Sequence, residues 1–565
     1  MKKRYIVIGG VAGGASAAAR IRRLDENADI QIYDKGPDIS FSNCCLPNFF
    51  SGEIKNTDDL ILHNPQSFKE TFNLDALTNH EVIEIKADQH KIIVRNLLTM
   101  KEFEDTYDYL ILSPGAHAIK PSSIKNVDSN NVFTVKNVND IRMIDEYLNK
   151  KNVKDVAVIG GGFIGVEVAE CMRKSGKNIS LVEASNQILN NFDYDMIQML
   201  HKELYDNGIK LILSDSLVEI NDSSILLKSG KVIEAQAVIL AIGVKPSIDF
   251  AIKSGIKTGQ TGAILVNHNY MTNLQDVYAI GDCIETFNSI TNEKMKLALA
   301  GPAQKQARNV ADALFGKSIS NTGVIGSSCI RLFDMNAAST GLNESQCIKN
   351  NIDYRTSFVM PNDKVGLMPD ANPIHLKVIY QYPSGKILGS QAIGKGNVIQ
   401  RVNVIATLIS MNAKLEDMKE LELCYAPAFS TAKDAVNFAA LAGLNYLNGE
   451  YKQISHTKVR DLVENGEYII DVRGRDAYEK SHIIGAKNIP IEEIRNRIEE
   501  IPRDKTVYVH CRTSWNSYYV IQALKGYGFY NIVNIQGSFL ALSYYEYFND
   551  MTSDRKSILT GYNFE

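Results

Sequence analysis

Short apolar runs alternating with helix-period segments set the pattern of this chain. Tyr5-Ile6-Val7-Ile8 reads as a buried strand that breaks into glycines and then into an alanine-rich helical stretch, Ala15 to Leu24. Asp29 to Asp34 reads as the next strand and ends on a carboxylate. The same β-α-β pattern recurs at Val156–Ile159, Gly160–Gly165, a helical Val166–Ser175 and Ile179–Glu183. Two further buried strands leave through glycines, Leu240 to Gly243 and Val277 to Asp282. From about residue 455 a smaller α/β pattern begins, with strands at Tyr468–Arg473 and Val507–Cys511.

A length of 565 residues suits three or four domains, and 45% hydrophobic with 22% charged residues suits a folded globular chain. A formal net charge of −4 leaves no basic footprint, so neither nucleic acid nor a membrane surface is expected as a partner. Met1-Lys2-Lys3-Arg4 before an apolar stretch imitates a secretory leader, but Gly9, Gly10, Gly13 and Gly14 interrupt it, and a strand-loop-helix is the better reading. No apolar run reaches the length of a membrane span. Eight cysteines are too sparse for a disulfide framework, and a reducing, cytoplasmic location is expected.

The chemistry begins with the glycines. They let the backbone turn tightly against a pyrophosphate whose charge sits at a helix N-terminus. Gly160, Gly162 and Gly165, with Ile164 between, satisfy G-x-G-x-x-G in full, and Glu183 is placed to accept from a ribose 2′-hydroxyl, which favours NADH over NADPH. In the first copy Val11 holds the middle position between Gly9 and Gly14, a weaker signal that the duplication strengthens.

These motifs, with Ser113-Pro114-Gly115, Gly243 and Gly281-Asp282, resemble those of the two-dinucleotide flavoprotein reductases. Ser40-Phe41-Ser42-Asn43-Cys44-Cys45-Leu46-Pro47 resembles the single-cysteine branch: coenzyme A disulfide reductases, persulfide reductases, NADH oxidases and NADH peroxidases. The resemblance implies FAD held by Gly9, Val11, Ala12, Gly14, Asp34, Lys35, Asn43, Ser113, Gly115, Gly281 and Asp282, a nicotinamide site at Gly160–Gly165, Glu183 and Gly243, and Cys44 as the redox thiol beside Ser40 and Phe41. Cys45 reads as a small apolar filler. Cys171, Cys283, Cys329, Cys347 and Cys424 show no metal-ligand spacing, and no metal is expected.

Ala12 stands where the oxidase and peroxidase branch has a histidine, which disfavours peroxide chemistry. Arg20 and Arg23 on the first helix resemble the arginines that bind coenzyme A phosphates. Tyr425, in Tyr425-Ala426-Pro427-Ala428-Phe429-Ser430, resembles the tyrosine that the dimerisation domain sends to the partner subunit. An upstream tyrosine is absent, the chain reading Leu367-Met368-Pro369 there.

The tail resembles a rhodanese domain in Asp471-Val472-Arg473, His482-Ile483-Ile484-Gly485-Ala486 and the loop Cys511-Arg512-Thr513-Ser514-Trp515-Asn516. Ser514 replaces a glycine and Asn516 a second arginine. The latter should weaken binding of thiosulfate.

The expected architecture is α/β: two Rossmann-like dinucleotide domains (FAD, 1–112 and 248–322; NAD(P)H, 113–247), an α+β dimerisation domain (323–450) and an α/β rhodanese domain (455–565). The expected activity is flavin-dependent reduction of coenzyme A persulfide, coenzyme A disulfide or polysulfide by a homodimer, with Cys511 handling sulfane sulfur. The rivals are an NADH oxidase or peroxidase and a non-catalytic sulfur or redox sensor.

Overall fold

The computed structural model describes residues 2–564. The chain divides into two compact units: residues up to Asn186 together with Ile209–Val324, and Gln187–Gly208 together with the chain from Ile325 onward.

The first unit contains the duplication read from the glycines. One five-stranded parallel sheet runs in the order Val277–Ala279, Tyr109–Leu112, Arg4–Ile8, Asp29–Tyr33, Asp75–Leu77. The other runs Val132–Thr134, Ala237–Leu240, Asp155–Ile159, Asn178–Val182, Lys210–Ile212, again all parallel. Each is accompanied by a three-stranded antiparallel meander, at His80–Thr106 and at Leu217–Glu234. The central strands are continuous apolar runs because helices cover both faces of such sheets. In each copy a buried glycine closes the strand-to-helix turn: a Cβ on Gly14 would lie 1.8 Å from the Gly9 carbonyl oxygen, and one on Gly165 would lie 1.9 Å from that of Gly160.

In the second unit a five-stranded antiparallel sheet, ordered Ser328–Leu332, Met335–Gly341, Ile387–Gly394, His375–Gln381, Tyr354–Val359, carries helices Val398–Ser410 and Ala435–Leu447. A parallel sheet follows, ordered Lys452–Ser455, Ile532–Gln536, Val507–His510, Tyr468–Asp471, Lys487–Asn488. The α/β class and the four folding patterns agree with the sequence reading.

The helix Tyr194–Asp206 lies, by sequence, inside the expected nicotinamide domain, yet it packs on the C-terminal helix Ser538–Thr552 through Tyr194–Tyr545 and His201–Phe548 ring contacts. Its first turn is fixed by the buried Lys377, whose ammonium pairs with Asp193 (3.0 Å), Asp195 (2.9 Å) and Glu344. Burial opposes the charge on Lys377, but the three carboxylates more than offset it and hold its pKa well up. No helix among the described residues is long and apolar enough to cross a membrane.

Candidate functional site

The two glycine loops are fastened in the same way. Asp34, at the end of its strand, accepts from the Gly10 and Gly36 N–H groups at 2.8 Å each. Glu183, its counterpart, accepts from the Gly161 N–H at 2.6 Å and the Ser185 N–H at 2.7 Å. Burial pushes the Asp34 carboxyl up, and the backbone donors partly oppose it. The strand-end carboxylates therefore pin each loop while keeping lone pairs for a ribose hydroxyl. Gly162 and Gly115 have no atom within 4 Å of a Cβ position, which leaves open space in front of helix Phe163–Lys174 and at the crossover between the sheets. These loops fit dinucleotides. Val11 leaves the loop's anchor in place, since it is the Gly10 N–H that meets Asp34.

Ser113, Gly281 and Asp282 converge on the first helix. The Gly281 N–H donates to Gln306 Oε1 at 2.7 Å, and a Cβ on Gly281 or Gly13 would approach Ser113 Oγ. Burial pushes the Asp282 carboxyl up, and Lys136 at 3.7 Å opposes the shift. Lys136 went unread in the sequence, having no motif around it.

Cys44 sits in a single helical turn, Asn43–Cys45, followed by a second, Pro47–Phe49, that packs on helix Phe163–Lys174. Phe41 bridges to Ile61, and Ser40 adopts a left-handed φ of 52° while its N–H bonds the Gly10 carbonyl, tying the cysteine segment to the first glycine loop. Cys44 is exposed as a residue and Cys45 half-buried. Partial enclosure of the thiol first, and Glu167 second, push the Cys44 pKa up, while Lys136 pulls it down. Glu167 is the main residue that the sequence reading missed. Burial, with Glu170 beside it, raises its carboxyl to about 7. An acidic residue two positions past the last glycine of the loop, on the inward face of the helix, was the available signal.

The arginines of the first helix divide. Arg20 donates through Nε (2.8 Å) and Nη2 (2.5 Å) to Asp312, so an incoming phosphate would compete with an existing ion pair. Arg22 is buried on the carbonyls of Asp25, Glu26, Ala28 and Asn73. Arg23 is exposed. Of the two arginines expected to bind phosphate, only Arg23 projects outward.

In the second unit Tyr425 and Phe429 are exposed, 50% and 76%, and a Val365 N–H to Pro427 carbonyl bond brings Leu367, 92% exposed, into the same region. Exposed apolar side chains gathered in this way suit an interface.

Cys511 ends its strand buried, with Thr513, Ser514 and Trp515 opening helix Trp515–Gly526. Its N–H donates to Ser538 Oγ at 3.2 Å. Below it Arg473 clamps Asp471 (2.6 Å), and His510 lies 3.6 Å from the same carboxylate. Burial alone would push Asp471 up, but its cationic partners, the Arg473 guanidinium among them, hold it low; burial pushes His510 down, against the pull of Asp471. Arg512 and Asn516 face outward. Ser481 is buried, its hydroxyl without a partner.

Two glycine loops on parallel sheets, a cysteine in a helical turn and a separate antiparallel sheet define the class. The chain belongs to the pyridine nucleotide-disulphide oxidoreductase family, whose model matches residues 3–307, with its dimerisation domain at 328–436 and a rhodanese-like domain at 455–543. Among individual proteins, it is 32% identical over 435 residues to a coenzyme A disulfide reductase of Staphylococcus epidermidis, covering 77% of this chain and 98% of that one. The solved structure of the reduced Bacillus anthracis CoADR-RHD superposes with a TM-score of 0.93 at 38% identity, covering 96% of this chain and 98% of that one. A NAD-dependent persulfide reductase from A. fulgidus superposes at 0.90 and 30% identity, covering 95% and 99%.

Proposed function

We propose that this chain is an NADH-dependent flavoprotein that reduces coenzyme A persulfide, coenzyme A disulfide or polysulfide at Cys44, with Cys511 handling sulfane sulfur. The observation that carries the reading is the presence, in one chain, of a Cys44 turn whose continuation, Pro47–Phe49, packs on the helix bearing Glu167, and of a rhodanese loop opening at Cys511. Gly9, Val11, Ala12, Gly14, Asp34, Lys35, Asn43, Ser113, Gly115, Gly281 and Asp282 would hold FAD; Gly160, Gly162, Ile164, Gly165, Glu183 and Gly243 would hold the nicotinamide dinucleotide. Bound FAD supplies the transfer of an electron pair from nicotinamide to sulfur.

The chain's own groups do the rest. The Cys44 thiolate attacks the sulfur–sulfur bond of the substrate, joins one sulfur and releases the other fragment. Glu167, whose carboxyl burial raises to about 7, holds its proton far above the usual carboxylate range and can deliver it to a departing sulfur. Lys136 supports the thiolate charge. Ala12 supplies no acid for peroxide chemistry. The dimerisation domain makes a homodimer of this chain, and we assign the exposed Tyr425 to the partner subunit's cysteine site. The eight cysteines are all free thiols, which suits the cytoplasm.

Anaerobic NADH oxidation, measured side by side with coenzyme A persulfide, coenzyme A disulfide, polysulfide and peroxide, tests the reading. Turnover on the sulfur substrates well above that on peroxide is expected; a preference for peroxide would overturn it.

A further inference from the structure

Cys44 is carried on a loop that is closed at its neck. The Ser42 N–H donates to the Leu60 carbonyl at 2.9 Å, the Leu62 N–H donates to the Ser40 carbonyl at 2.8 Å, and Phe41 bridges antiparallel to Ile61 between them. One arm enters past Ile39, buried against Gly10 of the first glycine loop. The other leaves through a helical turn, Thr57–Leu60. A side chain from a different element reaches both arms. Arg142, on helix Val138–Lys150, donates through Nη1 to Asp38 Oδ2 (2.9 Å), through Nη2 to Asp58 Oδ1 (2.9 Å) and through Nε to Thr57 Oγ1 (3.2 Å). Its planar fork thus spans the neck of the cysteine loop.

The same segment carries Lys136, the cation that supports the Cys44 thiolate. The Lys136 N–H donates to Asp140 Oδ2 at 2.8 Å, the Asp140 N–H donates to Asn137 Oδ1 at 2.9 Å, and Val138, Ile141 and Ile144 are fully buried. Lys136 and Arg142 are therefore the two ends of one stiff helix start. The carboxylates under Arg142 differ in shelter: the Asp38 side chain is 15% exposed and that of Asp58 84%.

We propose that Arg142 is a positioning residue for the reaction at Cys44: it ties the neck of the cysteine loop to the segment that bears Lys136 and so keeps the thiol beside that cation. Asp38, sheltered from water, is the principal anchor, since a pair as open as Arg142–Asp58 contributes little. With the clasp undone, the loop keeps its other contact, Pro47–Phe49 on the helix bearing Glu167, and loses its tie to Lys136. The thiol then keeps a carboxylate and loses a cation. The groups that face Cys44 are Glu167, Cys45, Lys136 and Asp282, and the balance among them sets how readily the thiolate forms. The inference rests on Cys44 as the reacting thiol and adds what holds it in place.

The test uses the full-length holoenzyme and two readouts. One is the pH dependence of iodoacetamide alkylation at Cys44, followed by mass spectrometry of its peptide; the other is kcat on coenzyme A persulfide with NADH. Arg142→Gln should move the alkylation midpoint up by about half a pH unit or more. It should also lower kcat about tenfold, because a displacement of about an ångström at a reacting atom costs up to about a hundredfold. Asp38→Asn should do the same, with FAD content unchanged in both variants, so the conclusion does not depend on one variant's folding. Asp58→Asn should move both readouts less than Asp38→Asn does. Arg142→Lys, which can hold one carboxylate at a time, should recover part of what Arg142→Gln loses. The direction seen in Asp38→Asn decides the cause. A field acting through space would shift Arg142→Gln and Asp38→Asn oppositely, since one removes a positive charge and the other a negative one; a lost clasp shifts both upward. Opposite shifts, or profiles that match the wild type, overturn the positioning role. If the wild type turns over no sulfur substrate, the proposed reaction fails, while the alkylation profiles, which need no substrate, still decide the clasp.

Discussion

Ser514 and Ser538 meet beneath Cys511 with their hydroxyl oxygens 3.1 Å apart, and both adopt left-handed backbone conformations, φ 72° and 51°. Side chains rarely accept that geometry, which costs about 1–2 kcal/mol per residue. Here both hydroxyls are also within reach of the Ile535 carbonyl, and Ser538 receives the Cys511 N–H.

Ser538→Gly and Ser538→Ala separate strain from hydroxyl. Glycine should be about 1 kcal/mol more stable than alanine here, because it accepts the left-handed turn. Both should slow persulfide loading of Cys511 by about tenfold, the worth of one hydrogen bond to a charged sulfur. Thermal melts and mass-spectrometric loading rates measure the two effects separately.

Cys44→Ser should retain the yellow flavin spectrum and lose turnover on every sulfur substrate by about a thousandfold or more. Wild-type rates in that variant would move the chemistry to Cys45.

Glu167 should impose a pH limb. Its carboxyl is raised to about 7 from an ordinary 4.5 by burial and then by Glu170, so the stability it lends is full below 4.5 and is lost as pH rises through 7. Glu167→Gln, neutral at every pH, should therefore melt closer to or above wild type at pH 8 than at pH 5. The same variant should lose the turnover limb near pH 7 and, freed of the carboxylate, its Cys44 should be alkylated by iodoacetamide at lower pH than in the wild type.

Glu183 predicts nucleotide choice. NADH should exceed NADPH in kcat/KM, because a 2′-phosphate would meet a carboxylate already fixed by the Gly161 and Ser185 amides. Glu183→Ala should narrow the preference and weaken NADH binding too, since the loop loses its anchor.

Lys377→Met should be among the most destabilising single changes, by about 3–5 kcal/mol, because Asp193, Asp195 and Glu344 would be left together without their cation. Denaturant melts of the variant and wild type would measure it.

What was legible in the sequence were features carried by local spacing. Gly9, Gly14, Gly160 and Gly165 sit in turns where a Cβ has no room, so their order along the chain announces the fold. Cys44 and Cys511 were readable because each stands in a short motif at a strand or turn end. The pairings of distant charges were not. Arg20 reads as an outward phosphate ligand until Asp312, 292 positions later, is seen to hold it. Lys136 meets Asp282 across half that gap, and Glu167 acquires its raised pKa only from what buries it. Nor did periodicity distinguish helix Tyr194–Asp206 from any other amphipathic helix; only its ring contacts with Tyr545 and Phe548 show where it belongs.

That helix makes the sulfur-carrying tail hard to detach. A chain ended near residue 450 would keep Tyr194, His201 and Tyr205 but strip away the aromatic partners that cover them, leaving a greasy stripe in water. The tail expressed alone would show the complementary stripe on Ser538–Thr552. Loss of the last hundred residues therefore damages a segment placed early in the chain, and a gene that gave up its sulfur carrier would also have to rewrite the surface of a helix some 250 residues upstream.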